Sequence, residues 1–134
     1  MKSGLVAMLA AEGTISTLVG SRIFVNKAPQ GAALPHIIIT QMGTEENVRL
    51  DGSAGMRFVE FDIDCKADRS LESQTLGDAV RVFLDDQLEA SAGSQTISAA
   101  ILNGEQSSYE PPEDGSDTGV HNTLLDFTIQ YIPA

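Results

Sequence analysis

The chain has 134 residues, 42% of them hydrophobic, and sets 8 Lys and Arg against 19 Asp and Glu for a formal net charge of −11. That length suits one domain with one core, and no apolar run approaches the roughly 18 residues of a membrane span. Met1 opens no signal peptide, so a soluble chain with no membrane or targeting segment is expected; its acidic balance repels phosphate and argues against gripping nucleic acid by counterion release.

In chain order, the opening reads as two short helices. Leu5, Met8 and Leu9 keep helical spacing up to Gly13, read as a left-handed stop, and Thr14 is placed to cap a second segment with Ile15, Leu18 and Val19 inward and Gly20 at its end. A short strand over 23–26 follows, then a loop holding Ala28, Pro29, Gln30, Gly31 and Pro35, then a strand from His36 to Met42. Its three isoleucines suit a strand covered on both faces. Residues 43–55, "GTEENVRLDGSAG", read as a long projecting loop.

Residues 57–66 alternate cleanly, with Val59, Phe61, Ile63 and Cys65 on one face and Phe58, Glu60, Asp62, Asp64 and Lys66 on the other. An amphipathic helix is predicted over 70–88, with Leu76, Ala79, Val80, Phe83 and Leu84 on its apolar side and Glu72 in its first turn. Another strand is predicted over 96–102. Asn103 and Gly104 read as a turn, Tyr109 as the centre of a possible short strand, and 105–117 as part of an acidic loop. Residues 123–132 alternate again, Leu125, Phe127, Ile129 and Tyr131 against Leu124, Asp126, Thr128 and Gln130. The sum is a single α+β domain over 1–134, with a mostly antiparallel four- to five-stranded sheet and its helices packed on one face.

Candidate chemistry is sparse. Glu60, Asp62 and Asp64 share a strand face, but a same-face spacing of about 6.8 Å keeps carboxylates from converging on one ion. "EDGSDTG" lacks the register of a calcium loop, and His36 and His121 have no third ligand at a metal spacing. Cys65, the only cysteine, falls on the apolar side of its strand and reads as a buried hydrophobe that fits a reducing compartment. No nucleophile elbow, phosphate loop, dinucleotide motif or zinc-protease motif occurs. No catalytic residue, metal or cofactor is expected. Polar loops on a small sheet instead suit contact with other proteins.

The order of features carries a resemblance. Gly20-Ser21-Arg22-Ile23-Phe24, then Ala28-Pro29-Gln30-Gly31 with Pro35, a loop containing "LDG", the strand "RFVEFDIDCKA", an amphipathic helix and Tyr109-Glu110-Pro111 together resemble the tail completion, or tail terminator, family of long-tailed phages and prophages. The resemblance implies a non-enzymatic virion protein assembled in the bacterial cytoplasm. It implies a hexameric ring that caps the head-proximal end of the tail tube, joins it to the connector or stopper on the head side, and lets DNA pass without specific binding. A head-side stopper or adaptor of the same joint is the alternative, and a small ligand-binding module a more distant one. Pro29, Gln30, Gly31, Glu45, Glu46, Arg49 and Asp51 are then candidate subunit or partner contacts. Glu105, Glu110, Glu113, Asp114 and Asp117 are candidates for an acidic channel or rim.

Overall fold

Leu5 and Leu9, one helical turn apart and fully buried, anchor α1 (Lys2–Ala11). In the computed structural model, which describes residues 2–29, 31–48, 54–85, 90–92, 95–111 and 119–132, α2 (Gly13–Val19) follows after a single residue. Gly13 does not stop α1 with a left-handed turn, and Thr14 is not the cap. Glu12 caps α2, its carboxylate accepting from the Ile15 N–H at 3.3 Å, so the first turn is satisfied by an acid instead of a hydroxyl. Gly20, at φ 59, does end α2, its N–H bonded to the Ser16 carbonyl at 2.8 Å.

The strands are β1 (Ile23–Val25), β2 (His36–Val48), β3 (Ala54–Ala67), β4 (Ala90–Ala92), β5 (Gln95–Glu110) and β6 (Val120–Ile132), with α3 (Ser70–Asp85) between β3 and β4. They form one sheet in the order β1-β2-β3-β6-β5-β4. Every pairing is antiparallel except β1 with β2. The fold is therefore α+β with a mostly antiparallel sheet. The short edge strands β1 and β4 bring its count to six, and the central four strands are long.

The alternation of β3 and β6 decides which face is dry. Val59, Phe61, Ile63 and Cys65 on β3 pair across to Ile129, Phe127, Leu125 and Thr123 on β6, and all eight are buried. Leu76, Val80 and Leu84 of α3, with Leu5, Leu9, Ile15 and Val19 of the first two helices, join them in one apolar cluster. Helix α3 comes close enough to β6 that a methyl at Gly77 would meet Thr123 Cγ2 at 2.8 Å.

Two loops expected from the sequence are strand. The segment read as a projecting loop from 43 to 55 continues β2 to Val48 and begins β3 at Ala54, so only residues 49–53 connect them. Across this arm Glu45 stands opposite Phe58 and Glu46 opposite Arg57. Likewise Asn103 and Gly104 do not turn the chain. A register shift between Leu102 and Gly104 makes Asn103 a bulge, its amide donating to Thr128 Oγ1 at 2.7 Å, and β5 runs on through Tyr109. In both places backbone pairing to a long neighbour overrides residues that favour turns.

Candidate assembly surface

The segment between β1 and β2 has a topological task. Those strands are parallel, so residues 26–35 must carry the chain back along the sheet, a crossover with no helix among its described residues. Its shape is fixed locally. Asn26 and Gly31 take left-handed φ values of 69 and 79, Leu34–Pro35 is cis, and Arg22 Nε donates to the Pro35 carbonyl at 2.9 Å. His36 Nδ1 donates to Ala33 O at 3.0 Å, and its ring meets Phe24 edge-on at 5.6 Å. Burial, followed by Lys66 and Arg22, outweighs that bond and lowers the His36 pKa. Pro29 and Gly31 are exposed at the crossover, while Gln30 lies outside the described residues.

Below the crossover opens a cleft of about 500 Å³, with Lys27, Pro29, Gly31, Asp64 and Lys66 in its walls. Lys66 reaches over β6 to Glu110 at 3.0 Å. Among the other even-numbered positions of β3 and β6, Glu60, Asp62, Asp64 and Asp126 place four acids on the outer face, beside Phe58 and Leu124. Asp62 pairs directly with Asp126, and Asn122 Nδ2 donates to Asp64 Oδ1 at 2.7 Å. Partial burial, then Asp126, Asp64 and Glu60, raise the Asp62 pKa. Among the described residues no group of three His, Cys, Asp or Glu side chains is placed to hold a metal ion.

The remaining reactive groups are held apart or buried. His121 stacks on Tyr109 with ring centroids 4.7 Å apart, on the sheet face opposite His36. Cys65 is wholly buried, and burial raises its thiol pKa far above the ordinary value. Ser73 spends its hydroxyl on Cys65 O and Thr123 Oγ1, both at 2.8 Å.

The sequence-derived contact residues are only partly brought together. Glu45 and Glu46 lie on β2 of the long arm, whereas Arg49 and Asp51 lie outside the described residues, as do Glu113, Asp114 and Asp117. Glu105 and Glu110 are on β5 and not in a loop. Their positions have opposite parity, so Glu105 accepts from Gln74 of α3 at 3.2 Å while Glu110 meets Lys66 on the outer face. Missed in the sequence was the run of exposed, half-paired strand from 103 to 110.

A family model for the tail completion protein gp17 matches residues 3–130. Among solved structures, a chain of the virion of a native gene transfer agent particle shares the fold with a TM-score of 0.64 and 13% identity, over 97% of this chain and 92% of that one. No curated protein matches.

Proposed function

Because the chain belongs to the tail completion protein gp17 family, and so is a structural component of the virion tail and not a member of an enzyme family, we propose that it forms a hexameric ring at the head-proximal end of the tail. There it ends tail tube polymerisation and joins the tail to the head-side connector or stopper. The observation that carries this reading is the family match over 3–130, nearly the whole chain.

In this reading the crossover with Pro29, Gln30 and Gly31, and the β2–β3 arm with Glu45, Glu46, Arg49 and Asp51, contact neighbouring subunits or the tail tube. Glu105, Glu110, Glu113, Asp114 and Asp117 lie near the channel or rim. DNA passes without specific binding, since acidic groups offer phosphate nothing to hold.

Electron microscopy of the protein mixed with its tail tubes tests the proposal. Rings at one tube end, with no further elongation, are expected. Protein scattered along the tubes or absent from them overturns it, and capture by isolated connectors but not by tubes would move the protein to the head side of the joint. Tight binding to duplex DNA at low salt would overturn the passive-channel part.

A further inference from the structure

Both long edges of the sheet are half paired. β1 covers β2 only at Ile37, Ile38 and Ile39, and β4 covers β5 only at Gln95, Thr96 and Ile97. Beyond those residues no strand among the described residues lies along either edge. Residues 103–110 are exposed throughout, with Tyr109 at 50%. Long open edges of this kind template pairing with another chain.

We infer that the two edges are a matched pair: residues 105–109 of β5 in one copy add antiparallel to residues 44–48 of β2 in the next, so that the sheet continues from subunit to subunit. The inference rests on the ring reading above and supplies its contact.

Direction comes first. β2, β3, β6 and β5 alternate in direction along the sheet, so β5 runs antiparallel to β2. Copies set side by side around an axis therefore present antiparallel edges. The contact joins two different patches, which is the arrangement that closes into a ring.

Hydrogen-bond parity then limits the register. The Ile37 N–H donates to Arg22 O at 3.0 Å and Ile39 O accepts from the Asn26 N–H at 2.9 Å, so both residues turn their polar backbone groups away from β3. They stand opposite Cys65 and Ile63; Thr44 and Glu46 stand opposite Val59 and Arg57, the same set of β3 positions, and turn outward as well. Carried across β3 and β6, the alternation turns residues 105, 107 and 109 of β5 outward. Pairing Thr44 with Tyr109 and Glu46 with Ser107 matches donors with acceptors and aligns the dry and outer faces.

Charge selects among registers of that parity. In this one Glu45 faces Ser108 and Glu46 faces Ser107. A slip of two residues one way sets Glu46 against Glu105, and two the other way sets Glu45 against Glu110. Like charges directly opposite oppose pairing. The glutamates on both edges thus admit the matched register and reject its neighbours.

Disulfide trapping tests this. Glu45 and Ser108 would form a non-hydrogen-bonded pair with Cα atoms about 4.5 Å apart, within disulfide range, and buried Cys65 does not compete. The variant Glu45→Cys/Ser108→Cys, assembled on tail tubes and oxidised, is expected to give a covalent ladder of multimers on a non-reducing gel, at least tenfold above Glu45→Cys/Gln106→Cys. Rings at tube ends that run as monomers, or equal ladders from both pairs, overturn the edge pairing while leaving the ring reading intact. Absence of rings from the wild type overturns both. Ser107→Pro removes an N–H that β6 does not use; it is expected to melt like the wild type and form no rings. A native melt with intact rings overturns the inference.

Discussion

Replacing Gly77 by alanine sets two measurable effects against each other. In a helix interior Ala is favoured over Gly by about 0.8–1.0 kcal/mol. At this position the new Cβ would lie 2.8 Å from Thr123 Cγ2 and 3.3 Å from Thr123 Cβ. Thr123 is buried, and Ser73 holds its hydroxyl at 2.8 Å, so rotating the methyl away sacrifices a buried hydrogen bond of about 1 kcal/mol. Overpacking a close-packed contact costs about 1–3 kcal/mol, so Gly77→Ala is expected to destabilise by about 1 kcal/mol net. Thermal melts followed by circular dichroism should show a fall of about 3–4 °C. Thr123→Ser removes the obstructing methyl but keeps the hydroxyl. Added to Gly77→Ala it should recover the loss, with a coupling of about 1 kcal/mol or more in a double-mutant cycle. A stabilising Gly77→Ala, with no coupling to Thr123→Ser, would refute the argument from close approach of α3 and β6.

The other expectations concern the core, titration and the thiol. Phe61 and Phe127 face each other across β3 and β6 with no exposure, so Phe61→Ala should cost about 3–5 kcal/mol in urea unfolding; a loss below 1 kcal/mol would contradict the placement. His36 has a lowered folded pKa, so the unfolded chain binds its proton first and stability should fall as pH drops below about 6.5. The difference in melting temperature between pH 7.5 and 5.5 should shrink in His36→Gln. Native protein should leave Cys65 unlabelled by a thiol reagent and become labelled on denaturation; rapid native labelling would show that the core opens there.

What the sequence made legible follows from where side chains are buried on one side only. Leu5 and Leu9, the alternation through Val59, Phe61 and Ile63, and the stripe from Leu76 to Leu84 announce their elements because one face meets the core. The strand from 103 to 110 is exposed throughout and so has no such contrast, and the sequence of the arm from 43 to 48 is apolar only at Val48; both backbones are extended by pairing to β6 and β3. Gly43, Asn103 and Gly104 then read as turns although they sit at register shifts. The candidate contacts suffered from the same blindness. A sheet edge presents N–H and C=O groups that every residue carries, so the sequence marks Glu45 as a contact only through its loop polarity and does not mark Ser107 at all.

On the ring reading proposed above, the same distribution bears on how an acidic ring would hold together while leaving DNA free. The acids of the outer face, Glu60, Asp62, Asp64 and Asp126, lie on β3 and β6, each one strand in from the nearer of the edges proposed to join and two from the other, so across the proposed junction three strand spacings separate the acids of one copy from those of the next. Between exposed charges 10 Å apart the repulsion is only about 0.4 kcal/mol in water, and at physiological salt the Debye length of about 8 Å reduces it further. Short-range backbone bonds along an edge are decided at contact distance and barely feel it. If this face turned toward the channel of the proposed ring, a polyanion passing it would meet the acids of every copy at once, with Lys66 already engaged by Glu110. Edge pairing and charge thus act at different ranges. The first can fix the neighbour while the second denies phosphate a resting place.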